Sequence, residues 1–138
     1  MATAETEGDR ALRYEKVVVT GGSGRLGSFV VRELMEHCQV TVVDLKPPEV
    51  DTPYVEADVC DLDALRAAFK GHQAVVHLGA LDLAIPAKPE EFMRVNAMGT
   101  WNALQAAHEC GATRYVQCSS VAATGCGDLQ WFGYGFGA

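Results

Sequence analysis

The residues best suited to chemistry lie early in the chain, where Lys16–Thr20 (KVVVT) runs directly into Gly21, Gly22, Ser23, Gly24, Arg25, Leu26 and Gly27. The spacing satisfies Gly22-x-Gly24-x-x-Gly27 and equally Gly21-x-x-Gly24-x-x-Gly27. A phosphate-binding turn requires this composition. The turn needs φ freedom, a pyrophosphate must approach bare backbone, and the following helix must pack closely on the strand. The N–H groups that open the helix then face the anion, helped by the positive end of the macrodipole. Because the cluster follows a strand and opens a helix, it points to a dinucleotide, with Gly21, Ser23, Gly24, Arg25, Leu26 and Gly27 as the binding residues. No Gly-Lys-Ser/Thr is present, which argues against a P-loop nucleotidase.

The second chemical residue is Asp44, which closes the strand Gln39–Asp44 (QVTVVD) and is followed by Leu45. A carboxylate there accepts bonds from both adenosine ribose hydroxyls and repels a 2′-phosphate, which favours NAD over NADP. The alternative is a solvated strand-end acid. Arg25 and Lys46 are the residues that would instead pair with a 2′-phosphate, although Arg25 lies more naturally along the pyrophosphate. Further on, Ser119 and Ser120 place two hydroxyls at a strand's carboxyl end, where open α/β sheets bind ligands.

These residues are positioned by alternating short β-branched runs and longer helical patterns. Arg25–His37 sets Leu26, Val30 and Leu34 on one helical stripe. Pro47, Pro48 and Pro53 mark a loop, and Tyr54–Ala57 forms a short third strand. Asp61 can cap a helix in which Leu62, Leu65 and Phe69 share a face, with Gly71 ending it. Gln73–Leu78 is a fourth strand, Pro89 opens a helix to about Glu109 with Gly111 beyond it, and Arg114–Cys118 is a fifth strand. The succession predicts an α/β fold, a Rossmann-type doubly wound parallel sheet of about five strands ordered 3-2-1-4-5. Residues 14–125 form that domain, between a disordered tail at 1–13 and an irregular Gly/aromatic tail at 126–138. The tail breaks the pattern, as expected of a truncated or alternatively ended chain that stops before a substrate domain.

The bulk properties agree. The 138 residues suit one domain, with 49% hydrophobic and 21% charged residues. A net charge of -7 without a Lys/Arg run argues against nucleic acid or an anionic membrane as partner. No stretch is long and apolar enough to span a bilayer. Cys38, Cys60, Cys110, Cys118 and Cys126 form no CxxC pair and suggest reduced, mostly buried thiols of a cytoplasmic protein, with no metal site.

Taken together, TGGSGRLG, Asp44, Asp58-Val59 after strand three, HLGA at His77–Ala80, VNAMGTWNALQAA at Val95–Ala107 and RYVQCSSVAATG at Arg114–Gly125 resemble the extended short-chain dehydrogenase/reductase family, the NAD-dependent epimerases and dehydratases. The resemblance covers roughly residues 16–125. It implies that Asp58 bonds the adenine amino group, with Val59 supplying an adjacent backbone contact. Leu78, Gly79 and Ala80 would follow the dinucleotide ribose and phosphates. Asn96 would steady the active-site end of strand four, Ser119 would lie by the nicotinamide ribose, and Ser120 would be the catalytic hydroxyl on the substrate oxygen. The implied chemistry is hydride exchange between NAD and a sugar or nucleotide-sugar, in an oxidoreductase or isomerase.

One departure bears on mechanism. The family's base is a tyrosine activated by a lysine four residues later, because an unperturbed tyrosine with a pKa near 10 is a poor base at neutral pH. Here Tyr134 comes too early, four residues before the terminal Ala138, and no lysine follows Lys88. The chain is therefore expected to be inactive alone. The 89–109 helix carries one stripe of Phe92, Val95, Gly99, Ala103 and Ala106 and a second of Met93, Ala97, Trp101, Leu104 and His108. A helix apolar on two sides must be covered twice, which suggests a homodimer unless Trp101 folds down over the sheet. A non-catalytic dinucleotide-binding or interaction protein is the alternative function.

Overall fold

A computed structural model describes residues 14–82 and 85–120. The tails expected at 1–13 and 126–138, Cys126 and Tyr134 lie outside the described residues. Five parallel strands, β1 (Lys16–Thr20), β2 (Gln39–Asp44), β3 (Tyr54–Glu56), β4 (Ala74–His77) and β5 (Arg114–Gln117), form one sheet in the order β3-β2-β1-β4-β5. This is the order expected from the sequence. Strand and helix ends shift by a residue or two from the sequence reading, where the regular backbone bonding stops.

The alternation along β1 explains why both faces must be covered. Val17 and Val19 point to one face, where they meet Val31 of helix α1 (Arg25–Met35) together with Val40 and Val42 of β2. Val18 points to the other and joins Leu65 and Phe69 of helix α2 (Leu62–Phe69). Asp61 caps α2, its carboxylate accepting the Ala64 N–H at 3.0 Å. On the same face lies a long helical run made of α3 (Pro89–Phe92), a π-helical segment (Met93–Met98) and α4 (Gly99–Glu109). Ala103, Ala106 and Ala107 of α4 are buried against the sheet. Arg66 clasps Glu109 at 2.5 Å and Asp63 at 2.7 Å, tying α2 to α4.

Three features differ from the sequence reading. The helix expected over 89–109 is interrupted by the π-helical turn, in which the Gly99 N–H reaches back to the Arg94 carbonyl. Hydrophobic spacing carries no mark of it, because the apolar stripe continues through it. Trp101 does not fold onto the sheet: it is 58% exposed, with Met93, Met98 and Leu104 exposed on the same run. The cysteines are less buried than expected. Among the described residues Cys38, Cys60 and Cys110 are half-buried and Cys118 is exposed, because they sit at or next to element ends rather than inside strands.

Candidate functional site

The carboxyl ends of the central strands open onto a cleft of about 440 Å³. Its floor is built from backbone brought very close together. Gly21, at φ 70°, donates its N–H to Val43, and a Cβ on it would lie 2.6 Å from the Gly79 nitrogen. Only glycine tolerates both that conformation and that approach. Gly27 is constrained in the same way from the helix side, where a Cβ would run into the Gly21 carbonyl. Gly24 is the N-cap of α1, makes no side-chain cap, and the first turn holds no acid. The helix therefore presents uncapped N–H groups at the lip of the cleft, an arrangement that favours an anion.

Asp44 sets the next wall. Its carboxylate accepts the Ser23 N–H at 3.0 Å and the Leu45 N–H at 2.7 Å, so the end of β2 and the glycine loop are locked together. Ser23 completes the lock by donating its hydroxyl to the Lys46 carbonyl at 2.7 Å. A carboxylate offers about four lone-pair sites, so two amides leave capacity for a ligand's hydroxyls.

Asp58 and Val59 border the cleft beside Asp44, and Leu78, Gly79 and Ala80 border it from the end of β4. Asp58 accepts the Cys60 N–H at 2.9 Å and an Arg94 N–H at 3.2 Å. Burial alone would raise its pKa, but the Cys60 amide and side chain and the Arg94 guanidinium outweigh burial and hold it below the usual carboxylate range. Asn96 stands behind the wall. It accepts the Leu81 N–H at 2.8 Å and donates to the Leu81 carbonyl at 2.9 Å, a two-bond clamp on the chain leaving β4. Arg25, Leu26 and Gly27 form the first turn of α1 and, like Ser23, do not line the cleft, and Ser119 and Ser120 lie exposed beyond β5.

Several contributors were not marked by the sequence. Arg94, Val95 and Glu91 line the cleft from the long helical run, with Leu81 and Ile85. His77, which falls within the strand expected over Gln73–Leu78, is 1% exposed. Its Nδ1 shares a 2.6 Å hydrogen bond with the Thr20 hydroxyl and its Nε2 a 3.3 Å bond with the Thr100 hydroxyl. Burial pushes its pKa down to about 4, so the ring is neutral at pH 7. The chain Thr20–His77–Thr100 pins β1, β4 and α4 beneath the floor. The sequence shows only a polar residue closing each of two valine-rich strands, Thr20 and His77, and the register is what pairs them. Asn102 acts similarly, donating to the Val59 carbonyl at 3.2 Å.

Comparison with known proteins agrees with this arrangement. The family model described as NAD dependent epimerase/dehydratase family matches residues 17–130. A relative, the 3 beta-hydroxysteroid dehydrogenase type 7 of Rattus norvegicus, is 31% identical over 78% of this chain and 36% of its own length. Among solved structures, a short-chain dehydrogenase/reductase superfamily protein of Agrobacterium tumefaciens with bound NAD is 36% identical with a TM-score of 0.70, over 77% of this chain and 33% of that one. MoeE5 in complex with UDP-glucose and NAD is 31% identical with a TM-score of 0.73, over 82% of this chain and 39% of that one. The chain thus spans roughly a third of the length of the proteins it matches, 36% for the rat relative. With the matched region spanning the glycine loop, Asp44 and the β4 lip alike, the chain belongs to the NAD dependent epimerase/dehydratase family.

Proposed function

We propose that the cleft binds NAD and that this domain serves a sugar or nucleotide-sugar oxidoreductase of the epimerase, dehydratase or dehydrogenase kind. The observation that carries the proposal is the meeting of an uncapped helix N-terminus with a side-chain-free glycine floor, directly beside Asp44. The pyrophosphate suits the α1 amides at Arg25 and Leu26, the Gly24 N–H being donated to the Gly21 carbonyl at 3.1 Å, and the adenosine ribose suits Asp44 and Leu45. Asp58 and Val59 take the adenine, and the Leu78–Ala80 backbone follows the second half of the dinucleotide. Asp44 disfavours a 2′-phosphate by repulsion, so NADP is the weaker ligand. When bound, the dinucleotide supplies the hydride acceptor. Ser119 and Ser120 follow the end of β5, the strand beside β4, Ser119 for the nicotinamide ribose and Ser120 as the hydroxyl that orients a substrate oxygen. Asn96 is a positioning residue in this reading, holding the Leu81 backbone at the lip.

The sugar substrate class rests on neighbours such as MoeE5 with UDP-glucose. These 138 residues contain no Tyr-x-x-x-Lys, so we propose that they bind the dinucleotide without turning over a sugar. The exposed stripe of Met93, Met98, Trp101 and Leu104 supports a homodimer through the 89–109 run, and it equally supports the second reading, a dinucleotide-binding interaction protein. Free half-buried thiols suit a cytoplasmic setting. Thermal unfolding with NAD, NADP or neither tests the binding. A rise of several degrees with NAD and less with NADP is expected, and no rise with either would refute the assignment of the cleft.

A further inference from the structure

We propose that residues 131–137 of this chain return as an antiparallel strand on the free edge of β5, laying Phe132, Tyr134 and Phe136 over Val116. The proposal is independent of the reading of the cleft as a dinucleotide site. It starts from an imbalance between the two faces of the sheet. Val18, Val75 and Tyr115 form a row on the face that carries α2 and α4, where both valines are fully buried and Tyr115 is half-buried. Val42, Val19, Val76 and Val116 form the neighbouring row on the opposite face. There Val42 and Val19 are fully buried, Val76 is half-buried and Val116 is 47% exposed. Among the described residues α1 is the only helix packed on that face. Five strands spaced at about 4.8 Å span about 19 Å, whereas a helix with its side chains covers about 10–12 Å. One helix cannot cover that face, and the end left bare is β5.

β5 is also the last strand of the sheet, so one side of its backbone has no neighbouring strand among the described residues. Arg114 donates its N–H to the Gln73 carbonyl, and Cys118 donates to the His77 carbonyl. Backbone groups alternate in direction along a strand, so Tyr115 and Gln117 turn their N–H and C=O groups away from β4. Such a row is a template for one more strand. Self-association through the Trp101 stripe of α4 engages the other face and leaves this edge to be filled separately.

The sequence that fits both openings belongs to the chain itself. Residues 121–138 follow shortly after β5 and carry one charged side chain, Asp128. Within them Phe132, Gly133, Tyr134, Gly135, Phe136 and Gly137 alternate strictly between aromatic and glycine. An extended chain sends successive side chains to opposite faces, so the three aromatics share one face and the glycines the other. Aromatic residues suit a half-buried pleated surface. Their packing over Val116 offsets the conformational freedom that glycine loses in a strand. Gly125, Gly127 and Asp128 supply turn residues between Ser120 and Trp131. The connection over 121–130 is shorter than the dozen or more residues that a parallel return requires, which sets the antiparallel direction.

Amide hydrogen exchange of the 138-residue chain, resolved by residue with NMR, tests the proposal. The Tyr115 and Gln117 amides are expected to exchange about tenfold or more below the unstructured rate, as hydrogen-bonded edge amides do. Replacing Phe132, Tyr134 and Phe136 together by serine in the full-length chain should remove that protection while the Val18 and Val75 amides keep theirs. Gly133→Thr and Gly135→Thr fall on the outward face, and a β-branched residue suits an extended backbone, so protection should hold or rise. Tyr115 and Gln117 amides that exchange at the unstructured rate in wild type would overturn the proposal, whatever the variants do. Protection lost in the threonine variants would overturn it too, by showing that those glycines serve turns. Protection that vanishes on dilution would do the same, assigning the edge to a second copy of the chain.

Discussion

At the scale of single residues, the glycines and carboxylates of the cleft act through what they hold as much as through what they could bind. His77 is the clearest case, because its environment makes a prediction about pH. Its pKa is about 4 in the folded chain, against an ordinary value of 6.5. Between those values the unfolded chain binds a proton that the folded chain refuses, so stability falls as pH drops from 6.5 toward 4 and is fully present above that range. The loss attributable to this ring is about 3 kcal/mol across the window. His72, also held below its ordinary value mainly by burial, adds in the same direction. Denaturant midpoints across this range should slope steeply for wild type and less for His77→Asn, and parallel slopes would refute the assignment. Asn96 makes a second prediction. Its replacement by alanine leaves the Leu81 amide and carbonyl without their partner, which costs about 1–2 kcal/mol at a part-exposed site. NAD affinity should fall with it, and a fully stable, fully binding Asn96→Ala would remove Asn96 from the positioning role.

At the scale of elements, the fold depends on close approach between backbone and helix. Gly99 stands where a Cβ would meet the Val59 side chain at 2.6 Å, and Val59 lines the cleft. Gly99→Ala is expected to cost about 1–3 kcal/mol through overpacking and to weaken NAD through the displaced Val59. A variant with unchanged unfolding and unchanged binding would show that the helix has slack there. This contact also shows where sequence reading stops. The strands, their order, the Asp61 cap and the glycine loop were legible because each is written in local periodicity or in residues a few positions apart. The Asp58–Arg94 pair, the Asn96–Leu81 clamp and the Thr20–His77–Thr100 chain join segments distant in sequence, and only the register between elements creates them. The π-helical turn was illegible for a different reason: an extra residue in one turn leaves the apolar stripe on either side intact.

At the scale of the whole molecule, the described residues leave two apolar surfaces open. One is the stripe of Met93, Met98, Trp101 and Leu104, and the other lies at the sheet edge, where Val116 of β5 is 47% exposed. An exposed edge strand is a template for further pairing. The chain should therefore self-associate, and Trp101→Glu should shift it to monomer in sedimentation. Wild type that is already monomeric would refute the dimer reading. The cofactor face of the domain is independent of that surface, because the cleft opens at the strand ends and the stripe does not line it. Self-association and dinucleotide binding can thus be tested separately.

The central claim is that the glycine loop and Asp44 form a working NAD site. Calorimetric titration of the purified chain with NAD and with NADP, beside Asp44→Ala, tests it most directly. The account predicts saturable NAD binding, weaker NADP binding, and a loss of NAD affinity in the variant. A folded wild-type chain that binds neither dinucleotide, or an Asp44→Ala chain that binds NAD as wild type does, would contradict it.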